Sequence, residues 1–210
     1  MWVAVRRAAT QGDRPTFCSG QDLKTIGTPQ GNSVTRNGGF AGLAERQRSK
    51  PLIVAVDGLA TAGGCEIVLS CDLVIATTRS SFGLAEVKRN LIAGAGGRFR
   101  LPRAIGKAAA MEAVLTGEPL SGERAYQLGL VNRLVEPGQA EAAAMALAEQ
   151  ICQNAPLAVW ASRGVVAAAV EGHDDAEMWA MTVAGIVNSE DLNEGLAAFA
   201  EKRPPVWKGR

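Results

Sequence analysis

The sequence holds a single histidine in 210 residues, His173. This excludes HExxH zinc sites and paired-histidine metal centres, so no metal site is expected. His173 lies in Glu-Gly-His-Asp-Asp, a solvated helix-start sequence. A Ser-His-Asp triad would need this one imidazole, and no Gly-x-Ser-x-Gly elbow accompanies it. The cysteines Cys18, Cys65, Cys71 and Cys152 form no CxxC pair. They read as reduced, mostly packing residues of a cytoplasmic protein. No apolar run approaches the ~20 residues that span a bilayer. The N-terminus lacks a basic stretch followed by an apolar one, so no secretory signal is expected. Charge surplus is missing too: 22 Lys+Arg against 21 Asp+Glu leave a net charge of +1. That is not the field of a non-specific nucleic-acid binder. With 47% hydrophobic and 20% charged residues, the chain is long enough for one cored domain, with or without an appendage.

Glycine is what the sequence has in excess, with 24 residues, about 11% against a usual ~7%. The glycines cluster at Gly38-Gly39, Gly63-Gly64 and Gly94-Ala-Gly-Gly97. Clustered glycine in an apolar chain points to tight turns and close backbone approach.

Residues 1–17 read as weakly organised, and 24–42, rich in Gly, Ser, Thr and Asn, as a mobile loop. Pro51 opens the apolar run 52–56, a buried strand of the parallel-sheet kind that Asp57-Gly58 ends. A helix over 63–71, a strand over 72–76 and a short segment over 81–86 follow. Residues 97–116 are mostly helical, interrupted near Pro102 and Gly106. Ser121 caps a helix over 122–128 that Gly129 stops, and 131–135 is a last strand. From Gln139 onward the pattern is helical, with Pro156 starting one helix and Asp174 and Ser189 capping two more. The expected fold class is α/β, with a core over 1–138 and a helical region over 139–210.

Gly58 and Gly63 have phosphate-loop spacing, but Gly64 and Cys65 stand where Lys and Ser/Thr would be needed. A dinucleotide fingerprint is absent as well. What remains is a helix N-terminus with unpaired N–H groups, suited to an anion or a developing oxyanion; close packing at Gly63-Gly64 is the alternative. Glu66 lies in the first turn of this helix among apolar neighbours. Glu86 follows twenty positions later, from the loop after the next strand. In a parallel sheet both return to one edge, where two carboxylates in unequal environments can do acid and base work. Taken singly, Glu66 fits a helix-dipole partner and Glu86 a solvated loop residue.

On these residues the chain resembles the enoyl-CoA hydratase/isomerase (crotonase) superfamily. Phe17-Cys-Ser-Gly-Gln-Asp-Leu-Lys24 is similar to the family's first oxyanion-hole segment. Pro51-Leu-Ile-Val-Ala-Val-Asp-Gly58 with Ala62-Gly-Gly-Cys-Glu66 is similar to the second. Cys71-Asp-Leu-Val-Ile-Ala76, Phe82-Gly-Leu-Ala-Glu-Val-Lys88, Gly94-Ala-Gly-Gly97, Leu115-Thr-Gly117 and Ala125-Tyr-Gln-Leu-Gly-Leu-Val-Asn132 follow in family order and spacing. The resemblance implies a crotonase-like spiral of ββα units followed by a C-terminal helical trimerisation region. It implies an acyl-CoA thioester substrate, with coenzyme A as part of the substrate and no separate cofactor, and neither nucleic acid nor membrane as partner.

The thioester carbonyl would lie between the N–H groups of Gln21 and Gly63, with Glu66 and Glu86 holding the water that adds to a 2-enoyl-CoA. Ser19, Gly20, Asp22, Leu23, Lys24, Gly64 and Gly94 would contact the substrate. Isomerases of the family usually keep only the second carboxylate, so both favour a hydratase. The alternatives are an isomerase, another crotonase-type lyase, or a non-catalytic acyl-CoA-binding paralogue. Family members begin with a strand pair and a helix upstream of Phe17, and residues 6–15 lack an apolar strand pattern, so a shortened N-terminus is expected. Trp160, Trp179 and Phe199 supply the apolar surface expected of a homotrimer or hexamer.

Overall fold

The computed structural model describes residues 9–11, 14–26, 28, 31, 33–183 and 185–210. It opens with an antiparallel hairpin, β1 (Ala9–Gln11) and β2 (Arg14–Cys18), with Thr10 opposite Pro15. For the described residues 9–11 and 14–17 this corrects the expectation of weak organisation over 1–17; the rest of that range lies outside the described residues. β1 is the outermost strand of its sheet, where an alternating apolar pattern is not required, and Pro15 further masks the strand. The segment expected as a mobile loop carries a 3-10 turn at Leu23–Thr25 and a small hairpin, β3 (Val34–Thr35) with β4 (Gly39–Phe40).

The chain then alternates between two sheets. β5 (Ile53–Val56) is wholly buried, as its uninterrupted apolar sequence requires. β6 (Leu59–Thr61) crosses to the other sheet and leads into helix α1 (Gly63–Leu69). β7 (Leu73–Thr77) returns beside β5 in parallel, Val54 opposite Val74. β8 (Ser81–Gly83) returns beside β6, Ala60 opposite Phe82. Helices α2 (Gly97–Ile105) and α3 (Lys107–Thr116) follow. Next come β9 (Leu120–Ser121), helix α4 (Gly122–Gln127) and β10 (Arg133–Val135). The sheet orders are β1-β2-β6-β8-β9 and β10-β7-β5. This is the spiral of ββα units that the resemblance implies. Pro102 does not interrupt α2; the break falls at Gly106, whose φ of +79° few other residues adopt. Ser121 caps α4 by accepting from the Arg124 N–H, as read from sequence.

The core fills the space around α1 with Phe17, Val54, Val56, Val68, Val74, Phe82, Leu84 and Leu101, all buried. Asp57 ties the strand ends together. Arg79 donates two hydrogen bonds to its carboxylate, and Thr77 Oγ1 and the Gly138 N–H donate one each. The Arg79 hydrogen bond is the main force holding the Asp57 pKa below the usual carboxylate range.

Two compact units divide the chain. One comprises Leu52–Met145 with the described residues before Arg48; the other comprises Arg48–Pro51 and Ala146–Arg210. The boundary falls within α5 (Ala140–Cys152). The second unit continues with α6 (Pro156–Glu171), α7 (Asp175–Val183) and α8 (Glu190–Glu201). Pro156 starts α6 and Ser189 caps α8 by accepting from the Leu192 N–H. After α8 the tail folds back, its Lys208 and Gly209 N–H groups donating to the buried Asp191 carboxylate. Trp160 is half-buried under Lys50, 5.7 Å from the ring centre, and Phe199 is 86% exposed. The Trp179 side chain lies outside the described residues. Among the described residues no helix is long and apolar enough to cross a membrane, and no cluster is fit to hold a metal.

Candidate active site

β2 and β6 are neighbouring parallel strands. Their C-terminal ends therefore bring residues 19–21 beside residues 62–63. Gly20, at φ +89°, packs so tightly there that a Cβ would lie 2.9 Å from the Gly63 nitrogen. Gly63 begins α1, so its N–H has no acceptor within the helix. A Cβ on Gly63 would lie 2.5 Å from the Phe40 ring, and one on Gly64 would strike the Cys18 carbonyl. Close packing and an available donor, the two readings of this glycine pair, thus coexist.

The residue before Gly63 is strained. Ala62 has φ +51° and ψ −128°, a backbone state that glycine favours. Such a conformation costs about 1–3 kcal/mol for a residue with a Cβ, partly offset on Ala→Gly exchange by glycine's larger unfolded-state entropy. Ala62→Gly is expected to raise the melting temperature by roughly 2–4 °C, the response to about 1 kcal/mol in a chain this size. A lower melting temperature in calorimetry would mean that the Ala62 methyl, packed on Gly20, outweighs the strain.

Gln21 holds the neighbouring segment through its side chain. Its Nε2 donates to the Gly31 carbonyl, and its Oε1 accepts from Ser33 Oγ at 2.9 Å. Asp22 caps the 3-10 turn by accepting from the Lys24 N–H. A cavity of about 380 Å³ opens here, lined by Gly20, Gln21, Asp22, Ser33, Phe40 and Ile67 among others. Ser19, Leu23 and Lys24 are exposed beside it. Neither glutamate lines this cavity.

Glu66 is 3% exposed, deeper than a half-desolvated first-turn residue. Its Oε1 accepts two backbone hydrogen bonds, from Ala95 N at 2.7 Å and Gly97 N at 2.9 Å. Gly97 begins α2, so Glu66 caps that helix from a distance. Gly96, at φ +103°, turns the chain so that the two N–H groups converge. A Cβ on Gly97 would lie 2.9 Å from Glu66 Cγ. The Gly94-Ala-Gly-Gly97 cluster signals this close approach in sequence, but the contacts belong to Ala95 and Gly97. Gly94 itself is exposed, and a Cβ there would make only an ordinary contact, 3.9 Å from the Ile92 carbonyl oxygen.

Glu86 starts the 3-10 turn Glu86–Arg89 that follows β8. Its Oε2 is buried and has no hydrogen-bond partner among the described residues. Burial pushes its pKa above the ordinary value; its own backbone N–H partly opposes this and the Glu66 charge adds to it. The two carboxylates are therefore electrostatic neighbours in unequal settings. Cys65 lies within the field of both. Burial, then Glu86 and Glu66, push its thiol up to about 12. At pH 8, iodoacetamide is expected to label the exposed Cys152 first, and Cys65 only on unfolding. Peptide mass analysis showing early Cys65 labelling would contradict its burial.

The sequence matches the model of the enoyl-CoA hydratase/isomerase family over residues 5–210. It is 39% identical to the (E)-benzylidenesuccinyl-CoA hydratase of Thauera aromatica, across 100% of this chain and 86% of that protein. It is 38% identical to the mevalonyl-coenzyme A hydratase of Aspergillus fumigatus, across 96% of this chain and 77% of that one. Its fold matches the crystal structure of enoyl-CoA hydratase from Mycobacterium tuberculosis H37Rv with a TM-score of 0.87 at 46% identity, covering 99% of this chain and 81% of the other. The family match spans most of the sequence: this chain belongs to the enoyl-CoA hydratase/isomerase (crotonase) family, as an enzyme of its hydro-lyase kind.

Proposed function

We propose that the chain catalyses reversible addition of water to a 2-enoyl-CoA thioester. The observation that carries this reading is the inequality of the two carboxylates. Glu66 Oε1 is fixed as an acceptor by two N–H groups, while Glu86 Oε2 is buried without a partner among the described residues and its pKa is raised. A base and an acid need that difference. The thioester oxygen accepts from the Gln21 and Gly63 N–H groups as enolate charge grows on it; each such donor contributes ~3 kcal/mol to the transition state. Glu66 takes a proton from water as its oxygen bonds to the β-carbon. Glu86 delivers its proton to the α-carbon. Solvent exchange then returns both groups to their starting states. Ser19, Gly20, Asp22, Leu23, Lys24 and Gly64 flank the bound thioester, and coenzyme A enters as part of the substrate. Loss of enoyl absorbance with crotonyl-CoA, measured beside binding, tests the reading. Binding without turnover would make the chain an acyl-CoA binder instead.

The helical region is proposed to assemble the chain into a homotrimer or hexamer. A phenylalanine 86% exposed at Phe199 supports this, since a large isolated ring on a helix surface favours burial in an interface. Light scattering at micromolar concentration is expected to give at least three times the 21.9 kDa chain mass. A stable monomer would refute the assembly.

A further inference from the structure

Glu66 depends on a loop that something must hold still. Ala95 and Gly97 donate to its Oε1, and their segment carries no side chain of its own larger than a methyl from residue 94 to 97. One guanidinium spans the gap between this segment and the rest of the unit. Arg100, one turn into α2, donates from Nη1 to the Ala95 carbonyl at 3.0 Å and from Nη2 to the Ala44 carbonyl at 2.7 Å. Ala44 is 3% exposed, so its carbonyl is a fixed abutment. The guanidinium also covers the backbone turn at Gly96, where a Cβ would lie 2.6 Å from Nη1. Ala95 thus donates to Glu66 through its N–H and accepts from Arg100 through its carbonyl.

We propose that Arg100 is a positioning residue for Glu66: it ties the Ala95 carbonyl to the buried Ala44 carbonyl and so keeps the Ala95 and Gly97 N–H groups on Glu66 Oε1. This rests on the reading of Glu66 as the base. The planar fork suits the task, because two carbonyls facing different ways need donors fixed at an angle. Lysine reaches one of them. A displacement of about 1 Å in a reacting group can cost about 10²-fold in rate.

The test compares the parent, Arg100→Ala, Arg100→Lys, Glu66→Gln and the Glu66→Gln/Arg100→Ala double variant in crotonyl-CoA hydration. Hydrogen exchange is followed in a peptide covering residues 91–98. Arg100→Ala is expected to lower kcat by about 30–100-fold with KM moved less than about threefold. Arg100→Lys should fall between, and millimolar guanidinium should restore part of the Arg100→Ala rate. In the Glu66→Gln background the arginine change should cost less than about threefold more, because its effect passes through Glu66. Exchange in the 91–98 peptide should quicken at least about tenfold while β5 stays protected. If Arg100→Ala fails to fold, the lysine variant carries the same comparisons. A folded arginine variant with parental kcat, a full additional loss on top of Glu66→Gln, or unchanged exchange would overturn the proposal. Failure of the hydratase reading is separate: the parent, or Glu66→Gln against it, would reveal it without reference to Arg100, and the exchange measurement still decides the brace.

Discussion

Glu66→Gln and Glu86→Gln are each expected to lower the rate of crotonyl-CoA hydration by roughly 10²–10⁴-fold, the usual worth of a positioned acid or base. Glutamine keeps the shape of each side chain and removes only the titrating group. The double variant should lose less than the product of the single losses, because both carboxylates act on one water. The pH dependence separates their roles. Glu86 must start protonated to deliver a proton, and burial raises its pKa. The parental rate should therefore decline as pH rises through that raised pKa. Glu66 charge contributes to the rise, so Glu66→Gln lowers the Glu86 pKa and moves the residual alkaline decline to lower pH. Glu86→Gln should abolish it. If only Glu86→Gln is damaging, the chain is an isomerase using one carboxylate; if neither is, the two-carboxylate mechanism is wrong.

Gly63→Pro should reduce turnover by about 10²–10³-fold through loss of one oxyanion donor. Proline is accommodated at a first helical position, so α1 itself need not be lost. The fold adds a condition to this experiment. Any Cβ at position 63 meets the Phe40 ring at 2.5 Å, so part of the loss would come from displacing that ring. Gly63→Ala makes the same collision and keeps the N–H. The ratio of the two rates, in variants with matched thermal unfolding, isolates the donor. Equal turnover in the two would remove the Gly63 N–H from the reaction.

The parts of this molecule that local sequence determines were readable. Ile53–Val56 and residues 74–76 are apolar without interruption because sheet pairing and core packing bury them. Ser121 and Ser189 announced helix starts because a cap is made within three residues. The glutamates stood out against apolar or glycine-rich surroundings. Other features depend on chain that is distant in sequence. Ala95 and Gly97 meet Glu66 across 29 and 31 positions, and Arg100 reaches Ala44 across 56. No periodicity encodes such meetings. Ala62 carries no mark of its positive φ, since alanine is an unremarkable residue that here adopts a conformation suited to glycine. The hairpin over 9–18 was missed because a sheet edge makes weak demands on composition.

The pairing of β2 with β6 separates two kinds of change that this chain can absorb. The distance between the backbone positions that follow these strands is fixed by the sheet, at the ~4.8 Å spacing that every paired strand shares. The stretch from Leu23 to Phe40 leaves the sheet after one strand and lines the cavity with its own side chains. Among its described residues it is fastened by local bonds such as those from Gln21 to Gly31 and Ser33. Under the proposed function, new side chains at Thr25 or Ser33 would reshape the cavity wall, while the spacing of the β2 and β6 ends would stay with the sheet.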